Sequence, residues 1–333
     1  MTIHLLSKIR LLCLFVILLL FANRVDACSD SLKQIWTNIT QPDSIRFNAI
    51  NEYYKENLFA QPDSVILLTA YHDALANQKD SREERAKAIN RRGVAYSIKG
   101  DYDKALIEMY GAIDIYSSIN DSTGLIKMYN NIANIYTYTA QYQKAINLFS
   151  KCLVFYQDNK VDHLAAAVLM NIGLIHLDIS NYDKALDYFN KSLDLYKKLG
   201  IDHKVGKIWI STGSVNLAKK NYQEALKNSQ KALKILQPRN QQHAIASCYI
   251  LNTRIYKAIN QIDSAFIYLN KGLKLHQTIG ANLLVLEDQI LLAQLVFPTD
   301  VNRAMQIGEE VLKSAEGYHD HSMKVELLSL IHI

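Results

Sequence analysis

Glycine and proline are scarce in this sequence: 12 and 4 among 333 residues. Tight hairpin turns and phosphate-cradling loops both need glycine, so the shortage argues against a sheet protein and for helices. The chain has no Gly-rich phosphate loop, no H-E-x-x-H, no C-x-x-C and no G-x-S-x-G. The motif-borne chemistries of nucleotide transfer, zinc proteolysis and serine hydrolysis therefore have no foothold. Only four cysteines occur, Cys13, Cys28, Cys152 and Cys248. The last two stand more than two repeats apart, beyond the roughly 7 Å between Cα atoms that a disulfide spans. Strong charge is missing as well. The net is +5; Lys8, Arg10 and Arg24 against Asp26 give residues 1–27 a net +2, which leaves about +3 for the rest. No basic stripe of the kind that grips nucleic acid is present, and no nucleic-acid contact is expected.

What is there begins with a targeting segment. Lys8 and Arg10 precede the apolar run LLCLFVILLLFA at 11–22, and NRVDAC follows. Its length and flanks fit a secretory signal over 1–27 better than a spanning helix. Val25 and Ala27 stand at −3 and −1 of a cleavage after Ala27, while VDAC at 25–28 is close to a lipobox. Signal-peptidase cleavage, lipoprotein processing and an uncleaved anchor all stay open. Each implies an exported, periplasmic or membrane-associated bacterial protein. Residues 28–45 read as a linker.

Beyond it the sequence repeats. DYDKAL starts at 101, QYQKAI at 141, NYDKAL at 181 and NYQEAL at 221, a period of 40. Aligned on the alanine, one column reads Ala105, Ala145, Ala185, Ala225, Ala265. Twelve residues earlier comes a second small column, Gly93, Ala133, Gly173, Gly213, Thr253. Met109, Phe149, Phe189, Ser229 and Leu269 follow the alanine by four. Offsets of three, four and eight share one helix face. Each unit is thus two helices whose small residues let the backbones approach, joined at KGD, TAQ, ISN or AKK. One such unit cannot bury its own apolar face, so neighbours must stack. Asp80, Asp121, Asp162 and Asp202 precede first helices, where a carboxylate is expected to cap.

NNIANIYTYTAQYQKAINLFSKCL and MNIGLIHLDISNYDKALDYFNKSL resemble the tetratricopeptide repeat, in a 40-residue version of a motif whose usual period is 34. The resemblance implies an all-α, right-handed superhelix, an α-solenoid of antiparallel helix hairpins. About six repeats are expected over 46–320, clear over 86–277 and worn at both ends, with Val65 and Ala304 in the alanine column. Residues 321–327 start a further, truncated repeat. The last six residues, 328–333, match the translation of a sequencing-library adapter and are expected to be adapter-derived.

The resemblance also implies a function without catalysis or cofactor: a peptide or protein segment held in a concave groove lined by first helices. One peptide-binding group of the family grips a terminal carboxylate with Lys and Asn. The matching positions here are Asn130, Asn134, Asn171, Lys207 and Ser211. Asn134, Asn171 and Lys207 agree with that pattern, whereas Asn130 and Ser211 remove two charges. An asparagine ladder of Asn130, Asn131, Asn134 and Asn171 remains, able to donate to and accept from a peptide backbone. The other reading is that Asn131 and Asn171 only tie neighbouring first helices together. Lys127, Lys207, Arg254 and Lys257 share the face with Asp178 and point to an acidic or C-terminal peptide. His163, His203 and His243 recur at the same period, too far apart to share a metal, and read as surface residues. Signal-plus-repeat chains of this kind resemble the sensing halves of bacterial histidine kinases and membrane-tethered helix-turn-helix regulators. Membrane attachment through the N-terminal segment or a helix beyond 327 follows from that likeness. A structural scaffold or lipoprotein spacer is the remaining alternative.

Overall fold

The computed structural model describes residues 30–314. The signal, the truncated repeat and the adapter-like tail expected at the two ends lie outside them. Fifteen α-helices follow one another and no strand occurs among the described residues. They are α1 (Asp30–Thr37), α2 (Asp43–Asn57), α3 (Pro62–Gln78), α4 (Arg82–Ile98), α5 (Tyr102–Ser118), α6 (Ser122–Tyr138), α7 (Tyr142–Asp158), α8 (Asp162–Asp178), α9 (Tyr182–Lys198), α10 (Asp202–Ala218), α11 (Tyr222–Leu236), α12 (Gln242–Ala258), α13 (Ile262–Thr278), α14 (Asn282–Val296) and α15 (Val301–Ser314). The chain divides after Gln141 into two compact units, one holding α1–α6 and the other α7–α15. None of the described helices is long and apolar enough to cross a membrane.

The 40-residue period is two 20-residue half-periods. From 80 to 280, every twentieth residue has a positive φ, between 48° at Asn240 and 79° at Gly100. Each such residue ends one helix in a Schellman turn. At the first repeat the Asp101 N–H donates to the Tyr96 carbonyl at 3.0 Å and the Gly100 N–H to the Ser97 carbonyl at 3.0 Å. This pair of bonds satisfies carbonyls that a helix end otherwise orphans. The residue after the turn is already the N-cap of the next helix. Seventeen helical residues and three of turn therefore make one module. The carbonyl taken by the longer bond belongs to Ala76, Tyr96, Tyr116, Tyr136, Tyr156, His176, Tyr196, Asn216, Leu236, Tyr256 and His276 in turn. Six of these carbonyls belong to tyrosines, so the helix ends hold six of the chain's 20 tyrosines.

Packing follows the small columns. Ala105, Ala145, Ala185, Ala225 and Ala265 are fully buried, as are Val65 and Ala304 in the same column. At Gly173 a Cβ would sit 2.6 Å from the Phe189 ring, so only glycine lets α8 and α9 close. The expected capping holds at one of its four positions. Asp121 Oδ1 accepts the Gly124 N–H at 2.9 Å. Asp80 is instead the left-handed turn residue, and Ser81 caps α4 in its place. Asp162 and Asp202 are the first residues inside their helices, following the N-caps Val161 and Ile201.

Residues 28–45 are not simply a linker. Residues 30–37 form α1, with Leu32, Ile35 and Trp36 packed on the first core cluster. Trp36 is buried, its ring edge meets Tyr53 at 5.5 Å, and its carbonyl accepts from Arg46 Nε at 2.9 Å and Tyr71 Oη at 3.0 Å. An eight-residue helix carries too little periodic signal to stand out, but the first hairpin's open face requires a cover.

Candidate functional site

Each first helix turns its small and apolar residues inward and leaves polar positions one turn apart on its other side. In the first unit these lie on α4 and α6. Asn131 Nδ2 donates to Asn90 Oδ1 at 3.0 Å, a tie between neighbouring first helices. Asn131 therefore does not belong to a free amide ladder. Asn134 Nδ2 donates to the Asn130 carbonyl at 3.0 Å on its own helix, and both residues are half-buried. Lys127 is exposed. The Tyr110 hydroxyl of α5 and the Tyr136 hydroxyl of α6 are hydrogen-bonded at 2.9 Å. That hydrogen bond, helped by burial, pushes the Tyr110 phenol up to about 12. Arg92 of α4 and Glu108 of α5 pair at 2.6 Å.

In the second unit the equivalent positions lie on α8, α10 and α12. Asn171 is half-buried on α8, and Asp178 ends that helix exposed. Ser211 is buried and donates to the Lys207 carbonyl at 3.3 Å, so it serves its own helix. Arg254 is exposed, and Lys257 Nζ donates to Gln294 Oε1 at 2.6 Å. Lys207 differs from the other lysines. It is half-buried, and burial followed by the neighbouring Lys204 pushes its ammonium below the ordinary lysine value, with no carboxylate offsetting either.

Two histidines read from sequence as surface residues join this lysine. His203 is half-buried and held below the ordinary imidazole range by burial, then by Lys204 and Lys207, with Asp202 opposing. His243 is exposed, as read from the sequence, and its imidazole is lowered by partial desolvation, then by Lys207 and His276. Its ring meets the His276 ring edge-on at 5.9 Å. His276 is itself 3% exposed, with Nδ1 2.7 Å from Asp288 Oδ2, while its Nε2 has no hydrogen-bond partner. The histidine period was visible in the sequence, but distance rules out a shared metal, and the adjacent Lys204 and Lys207 were the signal for an anion instead. No group of three or more His, Cys, Asp or Glu residues is placed to hold a metal ion among the described residues. Cys152 and Cys248 are buried thiols outside any disulfide, each pushed up to about 12 by burial, which keeps them protonated and unreactive.

Fold and faces together define a helix-hairpin repeat protein whose first helices expose a polar, partly withdrawn surface. A tetratricopeptide-repeat model matches residues 84–158, 125–198 and 164–237 in overlapping registers. Residues 84–237 of the chain are tetratricopeptide repeats. Among solved structures it is similar to a tetratricopeptide repeat protein from Parabacteroides merdae, at 17% identity and a TM-score of 0.60, over 86% of this chain and 99% of that one. It is similar to the Rap conjugation gene regulator of plasmid pLS20 in complex with the Phr peptide, at 16% identity and a TM-score of 0.60, over 91% and 92%. Aspartyl phosphate phosphatase F from Bacillus subtilis matches at 16% identity and a TM-score of 0.60, over 91% and 87%. Identities this low speak for the fold alone. No curated protein matches the sequence.

Proposed function

We propose that this chain is a non-catalytic domain that binds a peptide or protein segment along its first-helix faces, and that it is the exported sensing part of a larger signalling protein. The observation that carries the reading is Lys207, a lysine withdrawn from water with no acid to answer it. Such an arrangement is unfavourable in the free protein and is relieved by an acidic partner. A regulator of the same fold was solved with a peptide bound, which supports the same class of partner. Export rests on the signal-like residues 1–27, and membrane attachment on that segment or a helix further on.

A peptide-display selection on the purified chain tests the binding. The expected binders lose about 1–3 kcal/mol of affinity when Asn134, or separately Asn171, is changed to Ala, and the denaturant midpoint of each variant is measured alongside. A large midpoint loss with unchanged affinity would reduce the asparagines to helix ties and favour a structural spacer. Cell fractionation and the mass of the mature N-terminus test the export; a cytosolic chain retaining Met1 would refute it.

A further inference from the structure

We propose that His203, Lys204 and Lys207 of α10, together with His243 of α12, form the subsite that takes an acidic side chain of the bound peptide, and that protonation of the two histidines tightens the grip as pH falls. The inference rests on the peptide-binding reading above and specifies its chemistry.

The argument begins with three acids of the surrounding helices, each of which has a basic partner of its own. Asp202 pairs with Arg239. Asp162, on the neighbouring α8 beside His163, pairs with Lys198 at 3.5 Å. Asp288 of α14 is held by His276 of α13 at 2.7 Å. Asp202 offsets the positive surroundings of His203 only in part, no carboxylate opposes the lowering at Lys207, and Lys207 depresses the proton affinity of both histidines. The N-caps of α10 and α12 are Ile201 and Gln241, neither of which makes a side-chain cap, so the first-turn N–H groups add positive potential to the same region. A second sign comes from His276, nine-tenths buried against His243 and still lacking a partner for Nε2.

Proton linkage gives the direction. In the free protein burial and the lysines keep the histidines neutral at pH 7.5. A carboxylate among them restores their proton affinity, so binding takes up protons. Affinity then rises as pH falls through the histidine range.

The probe is an amidated, fluorescently labelled alternating Ser-Glu octapeptide, read by anisotropy on the full chain at pH 7.5 and 5.5. Its Ser-Gln and Ser-Lys counterparts serve as comparisons. We expect binding about tenfold tighter at pH 5.5, a dependence flattened by His203→Gln with His243→Gln. Lys207→Met should weaken binding at both pH values without lowering the melting temperature, because it removes a poorly solvated charge. Lys274→Met, on the exposed side of α13, should leave binding unchanged. Affinity independent of pH, or insensitive to Lys207→Met, overturns the subsite. So does binding of the Ser-Gln peptide only when its C-terminus is a free acid. If the Ser-Gln or Ser-Lys peptide binds equally well, the subsite falls and the peptide-binding reading stands. If no peptide binds at either pH, both fall.

Discussion

The interior hairpins and the terminal ones solve the same packing problem with different chemistry. In the interior, the residue near each second-helix end and the one twelve later on the next first helix are apolar or phenolic. Tyr196 with Ile208 and Leu236 with Cys248 are buried pairs of this kind. At the last such step the pair is His276 with Asp288, equally buried and bonded at 2.7 Å. Near the other end His72, fully buried, stands where the interior has small residues such as Ala112 and Ser192. It lies between Tyr54 Oη at 3.3 Å and Glu84 Oε2 at 3.0 Å. Helix lengths differ in parallel. α1, α2, α14 and α15 have 8, 15, 15 and 14 residues, where most interior helices have 17. A terminal hairpin has a neighbour on one side only, so its register is not enforced from both faces. Directional hydrogen bonds between ionisable groups supply specificity that repetition supplies elsewhere.

The largest effect expected from breaking this contrast is at Asp288. Asp288→Ala leaves His276 buried with neither ring nitrogen partnered and is expected to cost about 3–5 kcal/mol in chemical denaturation followed by circular dichroism. Converting the pair to an interior type, His276→Tyr with Asp288→Ile, should recover that loss and leave stability equal to or above the parent. A double variant as weak as Asp288→Ala would mean that the pair is required by its surroundings rather than tolerated.

Next in size is an interior position. Gly173→Leu drives a side chain into the Phe189 ring, 2.6 Å from the Cβ it would create. Overpacking of this kind costs about 1–3 kcal/mol and at times more. At Gly111 nothing lies within 4 Å, so Gly111→Ala should stabilise α5 by up to about 1 kcal/mol. Matching melts for the two variants would erase the distinction between a glycine required by packing and one that is not.

The columns behind these predictions were legible because they repeat: alanine and glycine at fixed spacing mark where helices touch, and Val65 and Ala304 could be placed by register alone. The half-period was not legible, since only Gly100, Gly200 and Gly280 among the left-handed positions carry the residue that announces such a turn. The pairing of His276 with Asp288 was hidden for a related reason. Each breaks its own column, and only the fold brings the two breaks together. Register also led to Lys207, but not to His203 and His243, whose spacing suggested a metal that distance forbids. Asn131 illustrates the opposite limit, because an amide that ties two helices and one that grips a peptide have the same sequence pattern.

A smaller effect distinguishes the N-terminal end by its pH dependence. Burial alone pushes the Glu84 carboxyl up, but hydrogen bonds and charge from His72 and Lys87 outweigh it, and the group sits below its ordinary value of 4.5. A carboxylate depressed in the folded state contributes stability above its unfolded pKa and loses it as pH falls through the folded one. The first hairpins should therefore loosen below about pH 4. Trp36 fluorescence in a Trp209→Phe background reports on that end, and Glu84→Gln should remove the acid-dependent step. A step that survives the substitution would assign it to other carboxylates.

The smallest expected effect concerns the turns that set the interior rhythm. Lys160 holds φ at 56° and is exposed, so nothing but backbone geometry distinguishes it from glycine there. The left-handed region costs a residue with a Cβ about 1–2 kcal/mol, partly offset by the greater freedom glycine has in the unfolded chain. Lys160→Gly should therefore raise stability by roughly 0.5–1 kcal/mol. Asn260, with φ at 58°, should gain less from the same change, because asparagine already tolerates this region. Thermal melts of the two variants against the parent decide it. Equal gains would mean that side-chain identity at the turn is immaterial, and a loss at Lys160 would mean that its side chain contributes something the backbone argument omits.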